Sequence, residues 1–364
     1  MEKITVRFGP VCVHYSVEES LKDVCSPVFR FFKSHFEICP GHEGEANFSF
    51  NVSAIESAPD SPFNNLKWFP ILADPNSRNK VTLFDKRARQ GATEFLFNTN
   101  EPNALLVFDR LRSQVHLYMS SEPSNGPPLF NCCKQLLWLT REIFAYLAVK
   151  RGAIILHASG VVVDGQAIAI VGPKGAGKST ILLKLIDRLN LSFLSGDKLF
   201  LFPNDHQLHV RGWPDYPHLG LGTIRQFPQL IRRLESRNYN LEGRDDKKIV
   251  IDPDLLRDAF GYSYARGTYP LLKLILPSIS SNTEIVRISE YQQVPIDEVV
   301  ANVEPSSSAG GWLNLECSPE EYNSGLNAAS QLLRQCVAYK WEGKQDPTTS
   351  QLQAILGYSR FESS

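Results

Sequence analysis

The nine residues from Gly172 to Thr180 read Gly-Pro-Lys-Gly-Ala-Gly-Lys-Ser-Thr. Glycines at this spacing can adopt backbone angles closed to other residues, so successive N–H groups can turn inward around phosphate oxygens. Lys178 would place an ammonium at the β- and γ-phosphates, and the Ser179 hydroxyl would ligate the Mg²⁺ that bridges them. The sequence therefore predicts a site for Mg²⁺ and ATP, with ATP assumed over GTP for its abundance. The predicted nucleotide-binding residues are Gly172, Pro173, Lys174, Gly175, Ala176, Gly177, Lys178, Ser179 and Thr180.

His157 is a second residue that could do chemistry beside this loop. It lies in the apolar run 153–163, and Asp164-Gly165, a strong hairpin signal, joins that run to the strand entering the loop. An unbulged hairpin places His157 opposite Gly172. A lone histidine in an apolar strand is more often a core residue, but this position favours a functional role.

Asp197 follows the strand-like stretch 191–196, and lies 19 positions after Lys178. In α/β sheets the ligand lies outside the carboxyl ends of the strands, so a carboxylate there can reach a metal ion or accept a proton. A surface turn is the commoner place for an aspartate after glycine. The agreement of strand, spacing and phosphate loop favours Asp197 as general base and metal ligand.

The elements that must position these groups can be read from apolar patterns. Residues 167–171 predict a buried strand entering the loop, and Ser179 to Leu189 predict a helix leaving it. Residues 271–276 predict a further buried strand. Residues 319–337 predict a helix that packs back on this core.

The first 128 residues differ from the rest because they contain short strand-like runs separated by turns rich in Pro, Ser and Asn. Residues 1–8 alternate like an edge strand. We predict an α+β accessory domain over 1–128 and a nucleotide-binding catalytic domain over 129–364. A helix over 129–150 is expected to lead into the second domain.

Residues 156–164, the phosphate loop and residues 195–197 together resemble the HPr kinase/phosphorylase-like kinases. The resemblance covers residues 130–280 and implies an α/β P-loop kinase core of the type shared with phosphoenolpyruvate carboxykinase. It also implies that Asp197 accepts the proton of a substrate serine and that His157 lies at the transferred phosphoryl group. Lys178 and Ser179 correspond to the phosphate and Mg²⁺ contacts.

The sequence departs from that family at two acidic positions. Gly196 stands where the family has the first of two acids, and the nearest acid to the segment 216–224, where a metal-holding glutamate is expected, is Asp215. The arginine-rich loop linked to phosphorolysis is not found either. The missing arginine-rich loop favours a dedicated kinase over a bifunctional enzyme. The pattern is similar to that of relatives that phosphorylate precursor peptides in natural-product pathways, including lasso peptide kinases.

The segment from 225 to 248 is strongly charged. Such a run is usually a solvated face. The alternative is a basic segment that closes over the triphosphate or grips an acidic peptide, with Arg225, Lys247 and Lys248 as candidate substrate-binding residues.

Composition limits the partners. The 38 basic and 39 acidic residues leave a formal net charge of −1, so no global field favours nucleic acid or an anionic membrane. Seven cysteines without paired metal-ligand spacing favour free thiols in a reducing cytosol. Neither a targeting pattern nor an apolar run of membrane-spanning length is seen, so a cytoplasmic protein is expected. A homo-oligomer is left open.

Three functions are compatible with these residues. The favoured one is a kinase that transfers the γ-phosphoryl group of ATP to a hydroxyl, chiefly serine of a peptide or protein, with Asp197 as general base. A small-molecule kinase acting on a sugar, amino-acid or natural-product hydroxyl could use the same groups. A non-catalytic nucleotide-binding regulator is the alternative from another class, suggested by the missing second acid.

Overall fold

The computed structural model describes residues 1–54, 69–72, 80–86, 93–98, 104–109, 112–119, 134–204, 206–239, 241, 248–278, 285–306, 317–343 and 346–357. The chain forms two compact units. One comprises Met1–Arg151 with Ser306–Ser318, and the other comprises Gly152–Pro305 with Pro319–Ser364. Among the described residues, no helix combines the length and apolarity that crossing a bilayer requires.

The first unit contains a nine-stranded mixed sheet. Its strands are β1 (Glu2–Phe8), β2 (Val11–Val17), β3 (Glu37–Pro40), β4 (Phe48–Ala54), β5 (Phe69–Leu72), β6 (Lys80–Lys86), β7 (Thr93–Asn98), β8 (Ala104–Asp109) and β9 (Gln114–Met119). They are ordered β3-β1-β2-β4-β9-β8-β7-β6-β5. The prediction that β1 is an edge strand is wrong, because β3 pairs with its outer side in antiparallel register.

Two helices, α1 (Lys22–Phe32) and α2 (Lys134–Val149), accompany this sheet. The ring of Phe144 on α2 meets that of Phe36 edge-on, with centroids 4.8 Å apart, and the hydroxyl of Tyr15 on β2 donates to Thr140. These contacts assign α2 to the first unit, whereas the sequence placed the boundary after residue 128 and the helix in the second domain. An apolar helix stripe fits any apolar surface, so its pattern alone does not identify the partner.

The second unit contains an eight-stranded sheet and a separate two-stranded ribbon. Its strands are β10 (Ile154–Val163), β11 (Gln166–Val171), β12 (Ser192–Ser195), β13 (Lys198–Pro203), β14 (Leu208–Gly212), β15 (His218–Gly220), β16 (Lys248–Val250), β17 (Tyr269–Ser278), β18 (Arg287–Glu290) and β19 (Val337–Glu342). The ribbon consists of β15 and β16, and the order of the larger sheet is β11-β10-β13-β14-β17-β19-β18. In addition, β12 pairs with β10, and β11 pairs with β17 in parallel. The five strands β10, β13, β14, β17 and β11 are therefore joined in a closed circuit of strand pairs.

The described part of the second unit also contains the helices α3 (Lys178–Leu189), α4 (Leu221–Ile224), α5 (Pro228–Glu235), α6 (Pro253–Phe260), α7 (Ile296–Val300), α8 (Pro319–Leu333) and α9 (Thr349–Leu356). One apolar core lies between α3 and the sheet, where Ile181 and Leu185 pack with Ile168 and Ile170. A second core includes Leu156 of β10, Leu199 of β13 and Leu333 of α8, all nearly inaccessible to solvent. β10 contributes to both cores, since its Val161 lies in the first and its Leu156 in the second.

Candidate functional site

The phosphate loop connects β11 to α3 in the order that the sequence predicts. Gly175 and Gly177 have φ of 89° and 101°, in the left-handed region that favours glycine. Gly177 is also the N-cap residue of α3. A Cβ at Gly172 would be crowded, since it would lie 3.3 Å from that of Ala176. The loop ends at the N-terminus of α3, a position that favours anions.

Lys178 has its ammonium folded over the loop. Only 8% of the residue is exposed, and Nζ donates to the carbonyl oxygens of Gly172 at 2.6 Å and Pro173 at 3.2 Å. Burial lowers the pKa of Lys178, the charge of Asp197 opposes that shift, and the charge of Lys248 adds to it. Both acceptors are neutral, so a phosphate anion would be a stronger partner for this ammonium.

His157 lies on β10, where the strand changes partners. The hairpin prediction is confirmed, with a ladder that runs from the Val163–Gln166 pair to the Ala158–Val171 pair. It ends there, one pair before the predicted position of His157 opposite Gly172. His157 instead faces Lys198 of β13 across the opposite edge of β10.

Asp197 lies in a bend between two strands and not at the end of one continuous strand. β12 ends at Ser195, Gly196 and Asp197 form the bend, and β13 begins at the next residue. The hydroxyl of Ser159 donates to the carbonyl oxygen of Gly196 at 2.7 Å, and that of Ser195 donates to the carbonyl oxygen of Trp213 at 3.1 Å. Both β12 and β13 pair with β10, so the bend is fixed against that strand on either side.

The imidazole of His157 and the carboxylate of Asp197 are neighbours. Nδ1 of His157 lies 3.5 Å from Oδ1 of Asp197, and about a third and somewhat under half of the two side chains are exposed. Burial lowers the pKa of His157, the carboxylate of Asp197 opposes that shift, and the ammonium of Lys178 adds to it. One electrostatic cluster beside the phosphate loop therefore contains His157, Asp197 and Lys178. The imidazole of His157 is mainly neutral at neutral pH.

The residues at the start of α3 differ in what they offer a metal ion. Ser179 is half-buried on the first turn of the helix, whereas the Thr180 hydroxyl hydrogen-bonds that of Thr223 at 2.8 Å and joins α3 to α4. Within the described ranges, no group of three or more His, Cys, Asp or Glu residues could hold a metal ion by itself. Ser179 and Asp197 nevertheless suit Mg²⁺, which commonly uses one or two protein ligands together with substrate phosphates and water.

The three candidate substrate-binding cations have different surroundings. Lys248 is exposed on β16, is paired with Gly220 of β15, and lies near enough for its charge to lower the pKa of Lys178. Arg225 is exposed at the end of α4. Lys247 lies outside the described residues. Lys248 therefore stays a candidate cation beside the phosphate loop.

Sequence reasoning missed an ion pair beside the cluster. Nζ of Lys198 donates to Oε2 of Glu304 at 2.8 Å. The segment that carries Glu304 runs along β10, because His157 N donates to Asn302 O and Glu304 N donates to Ile155 O, at 2.9 and 2.8 Å. Glu304 stands in a stretch that reads as a loop, so no periodic pattern indicated its position.

Comparisons with known proteins add little to this local geometry. No protein-family model and no curated protein matches the sequence. Among solved structures, the chain is similar to the Hpr(Ser) kinase/phosphatase from Coxiella burnetii, with 12% identity over 55% of this chain and 85% of that one, and a TM-score of 0.25. A similarity of that extent carries no argument about mechanism, so the functional interpretation rests on the residues themselves.

Proposed function

We propose that the protein is an ATP-dependent phosphotransferase that transfers the γ-phosphoryl group to a hydroxyl, chiefly serine of a peptide or protein. The observation that carries this proposal is the cluster beside the phosphate loop. Nδ1 of His157 and Oδ1 of Asp197 are 3.5 Å apart, and the charge of Lys178 acts on both side chains. A nucleotide-binding loop alone would not require a half-buried acid and imidazole at that point.

The loop amides and Lys178 are the groups that would hold the phosphates of ATP, while Ser179 and Asp197 would hold Mg²⁺. The positive φ angles at Gly175 and Gly177 and the neutral partners of the Lys178 ammonium support this assignment. When bound, Mg²⁺ neutralises charge on the phosphate oxygens. Lys178 and the loop amides stabilise the same charge from the protein side.

Asp197 is the proposed general base, since its carboxylate is partly exposed and can accept the proton of an approaching hydroxyl. His157 is proposed to orient the phosphoryl oxygens. Its imidazole is mainly neutral in the protein alone, and nearby phosphate anions favour the protonated form, which donates from both ring nitrogens. One group thus removes a proton from the acceptor while the other positions the transferred group.

A peptide acceptor is favoured by Lys248, an exposed residue of the β15–β16 ribbon whose charge reaches Lys178 of the loop. The resemblance of the three site segments to peptide-modifying HPr kinase-like enzymes points the same way. The acceptor would then belong to a biosynthetic pathway. Arg225 and Lys247 stay candidate contacts for the same substrate.

Transfer of labelled γ-phosphate in the presence of Mg²⁺ tests this proposal. Serine-containing peptides and small alcohols, offered in parallel, separate a peptide kinase from a small-molecule kinase. Lys178→Ala is the negative control for the site. Tight nucleotide binding without transfer to any acceptor in either panel, or in an extract of the source organism followed by mass spectrometry, would favour a nucleotide-binding regulator instead.

A further inference from the structure

Glu304 is a largely buried carboxylate that the proposed reaction does not use. Its side chain is 17% exposed, and that of its partner Lys198 is 28% exposed. The two lie 2.8 Å apart and are screened less by solvent than a surface pair. An ion pair of this kind contributes little to stability on average, so its position next to Asp197 calls for another explanation.

The backbone around Glu304 is fixed from two directions. Its N–H donates to the carbonyl oxygen of Ile155 at 2.8 Å, and Val303 forms a bridge with Leu156. Its carbonyl oxygen accepts a hydrogen bond from the hydroxyl of Tyr322 on α8. The backbone that carries this carboxylate is therefore positioned by β10 and α8.

Lys198 connects this fixed carboxylate to the site. It directly follows Asp197 in the chain and pairs with His157 across β10. The Lys198 side chain carries a compact charge at the end of four flexible carbons. If the pair with Glu304 were broken, this ammonium would pair with the nearest carboxylate or phosphate. The nearest carboxylate along the chain is that of Asp197, the proposed base.

We propose that Glu304 is a positioning residue, which binds Lys198 and so holds the bend at Asp197 against β10 and keeps the Lys198 ammonium from pairing with the Asp197 carboxylate. The effect on turnover rests on the proposed function. The effect on the site's geometry does not, because it concerns the protein without substrate.

The test compares Glu304→Gln, Lys198→Met and the double variant, with Glu342→Gln as the matched control. Glu342 forms a Lys–Glu pair of similar length, 2.7 Å to Lys340, on β19. The first readout is the imidazole resonances of His157 in the full-length protein at one fixed pH, assigned with His157→Gln. The second is kcat and the KM for ATP.

Glu304→Gln is expected to shift the His157 resonances and to lower kcat about tenfold, the scale of a modest misplacement of catalytic groups, while the KM for ATP changes less than about twofold. Adding Lys198→Met should restore part of kcat, because the competing ammonium is then gone. Glu342→Gln should change neither readout. If Glu304→Gln does not fold, Lys198→Met alone must still shift the His157 resonances.

Unchanged His157 resonances in folded Glu304→Gln would overturn the proposal. So would a double variant less active than Glu304→Gln, since that result would give the two residues independent roles. The resonances also distinguish the positioning role from the kinase activity. If the protein transfers no phosphate but Glu304→Gln shifts the His157 resonances, the kinase proposal is refuted and the positioning role stands. If the protein is an active kinase but Glu304→Gln causes no shift, the positioning role is refuted and the kinase proposal stands.

Discussion

The two halves of β10 are built in different ways. Residues 158–163 pair with β11, which follows after a two-residue turn, whereas residues 154–157 lie between β13 and the distant segment 302–304. The first of these halves leads through the hairpin into the phosphate loop. The second lies beside Asp197, Lys198 and Glu304. The proposed binding half of the site is thus local in sequence, while the proposed proton-transfer half depends on long-range pairing.

Because of this difference, mutations should affect nucleotide binding and turnover separately. Changes on the local side should reduce nucleotide binding, and changes on the distant side should reduce turnover with binding retained. Two variants, Lys178→Ala and Asp197→Asn, test that separation. Two others, Asp346→Asn and Gly165→Ala, test what supports the local side.

Lys178→Ala should weaken ATP binding and abolish phosphoryl transfer, because it removes the ammonium held over the loop. Calorimetry with ATP and Mg²⁺ and the labelled-phosphate assay measure the two losses. Lys340→Ala, on β19, is the control and should behave like the unmodified protein. Full activity of Lys178→Ala would remove the assigned site.

Asp197→Asn should lower turnover by about 10²-fold or more, the scale of a lost general base, and leave nucleotide binding largely intact. Single-turnover transfer at saturating ATP gives the rate, and calorimetry gives the dissociation constant. A fall in binding without a fall in turnover per bound nucleotide would make Asp197 a metal ligand only. That outcome would also break the separation between the two halves of the site.

Asp346, which is distant in sequence, supports helix α3 on the local side of the site. Its carboxylate lies 3.0 Å from Nζ of Lys184 and 2.8 Å from Nη2 of Arg188, both on α3. Lys184 is 4% exposed, so Asp346→Asn removes a negative charge that lies next to a buried ammonium. Because the carboxylate itself is half exposed, we expect a loss of about 1–2 kcal/mol in the free energy of unfolding, less than for a fully buried pair.

The same pair predicts a pH dependence. Burial alone would raise the pKa of Asp346, but hydrogen bonds and charges from Lys184 and Arg188 outweigh it and lower the pKa. A depressed native pKa gives stability that is present above the unfolded value, about 3.9, and is lost as pH falls through the native value. Urea titrations between pH 7 and pH 3 should therefore show a smaller loss of stability on acidification in Asp346→Asn than in the unmodified protein.

Gly165→Ala is expected to have the smallest effect. Gly165 has a φ of 73°, at the turn of the β10–β11 hairpin, where a side chain is strained although nothing lies within 4 Å of a Cβ. The loss should be about 1 kcal/mol, measured by urea unfolding, with ATP binding unchanged. A large loss of ATP binding would show that the hairpin turn, and not only its register, controls the loop.

The sequence was sufficient where neighbours in space are also neighbours in the chain. The hairpin and its Val163–Gln166 register are confirmed, and so is the order of strand, loop and helix around residues 172–177. Turn type, alternating apolar residues and glycine spacing encode these features directly.

Contacts between distant segments were not accessible from the sequence. The third strand that covers β1, the assignment of α2 to the first unit and the Lys198–Glu304 pair all join segments whose patterns fit several partners. The pairing of His157 with Lys198 was missed for the same reason, since the hairpin rule describes only one edge of β10.

The central claim is that His157, Asp197 and Lys178 surround one metal-bound triphosphate, and paramagnetic broadening tests it most directly. Mn²⁺ with a non-hydrolysable ATP analogue would replace Mg²⁺ and ATP, since both ions accept oxygen ligands. We expect the imidazole resonances of His157 to broaden strongly, and excess Mg²⁺ to restore them. Sharp His157 resonances in a protein that calorimetry shows to be saturated with the manganese complex would contradict the account.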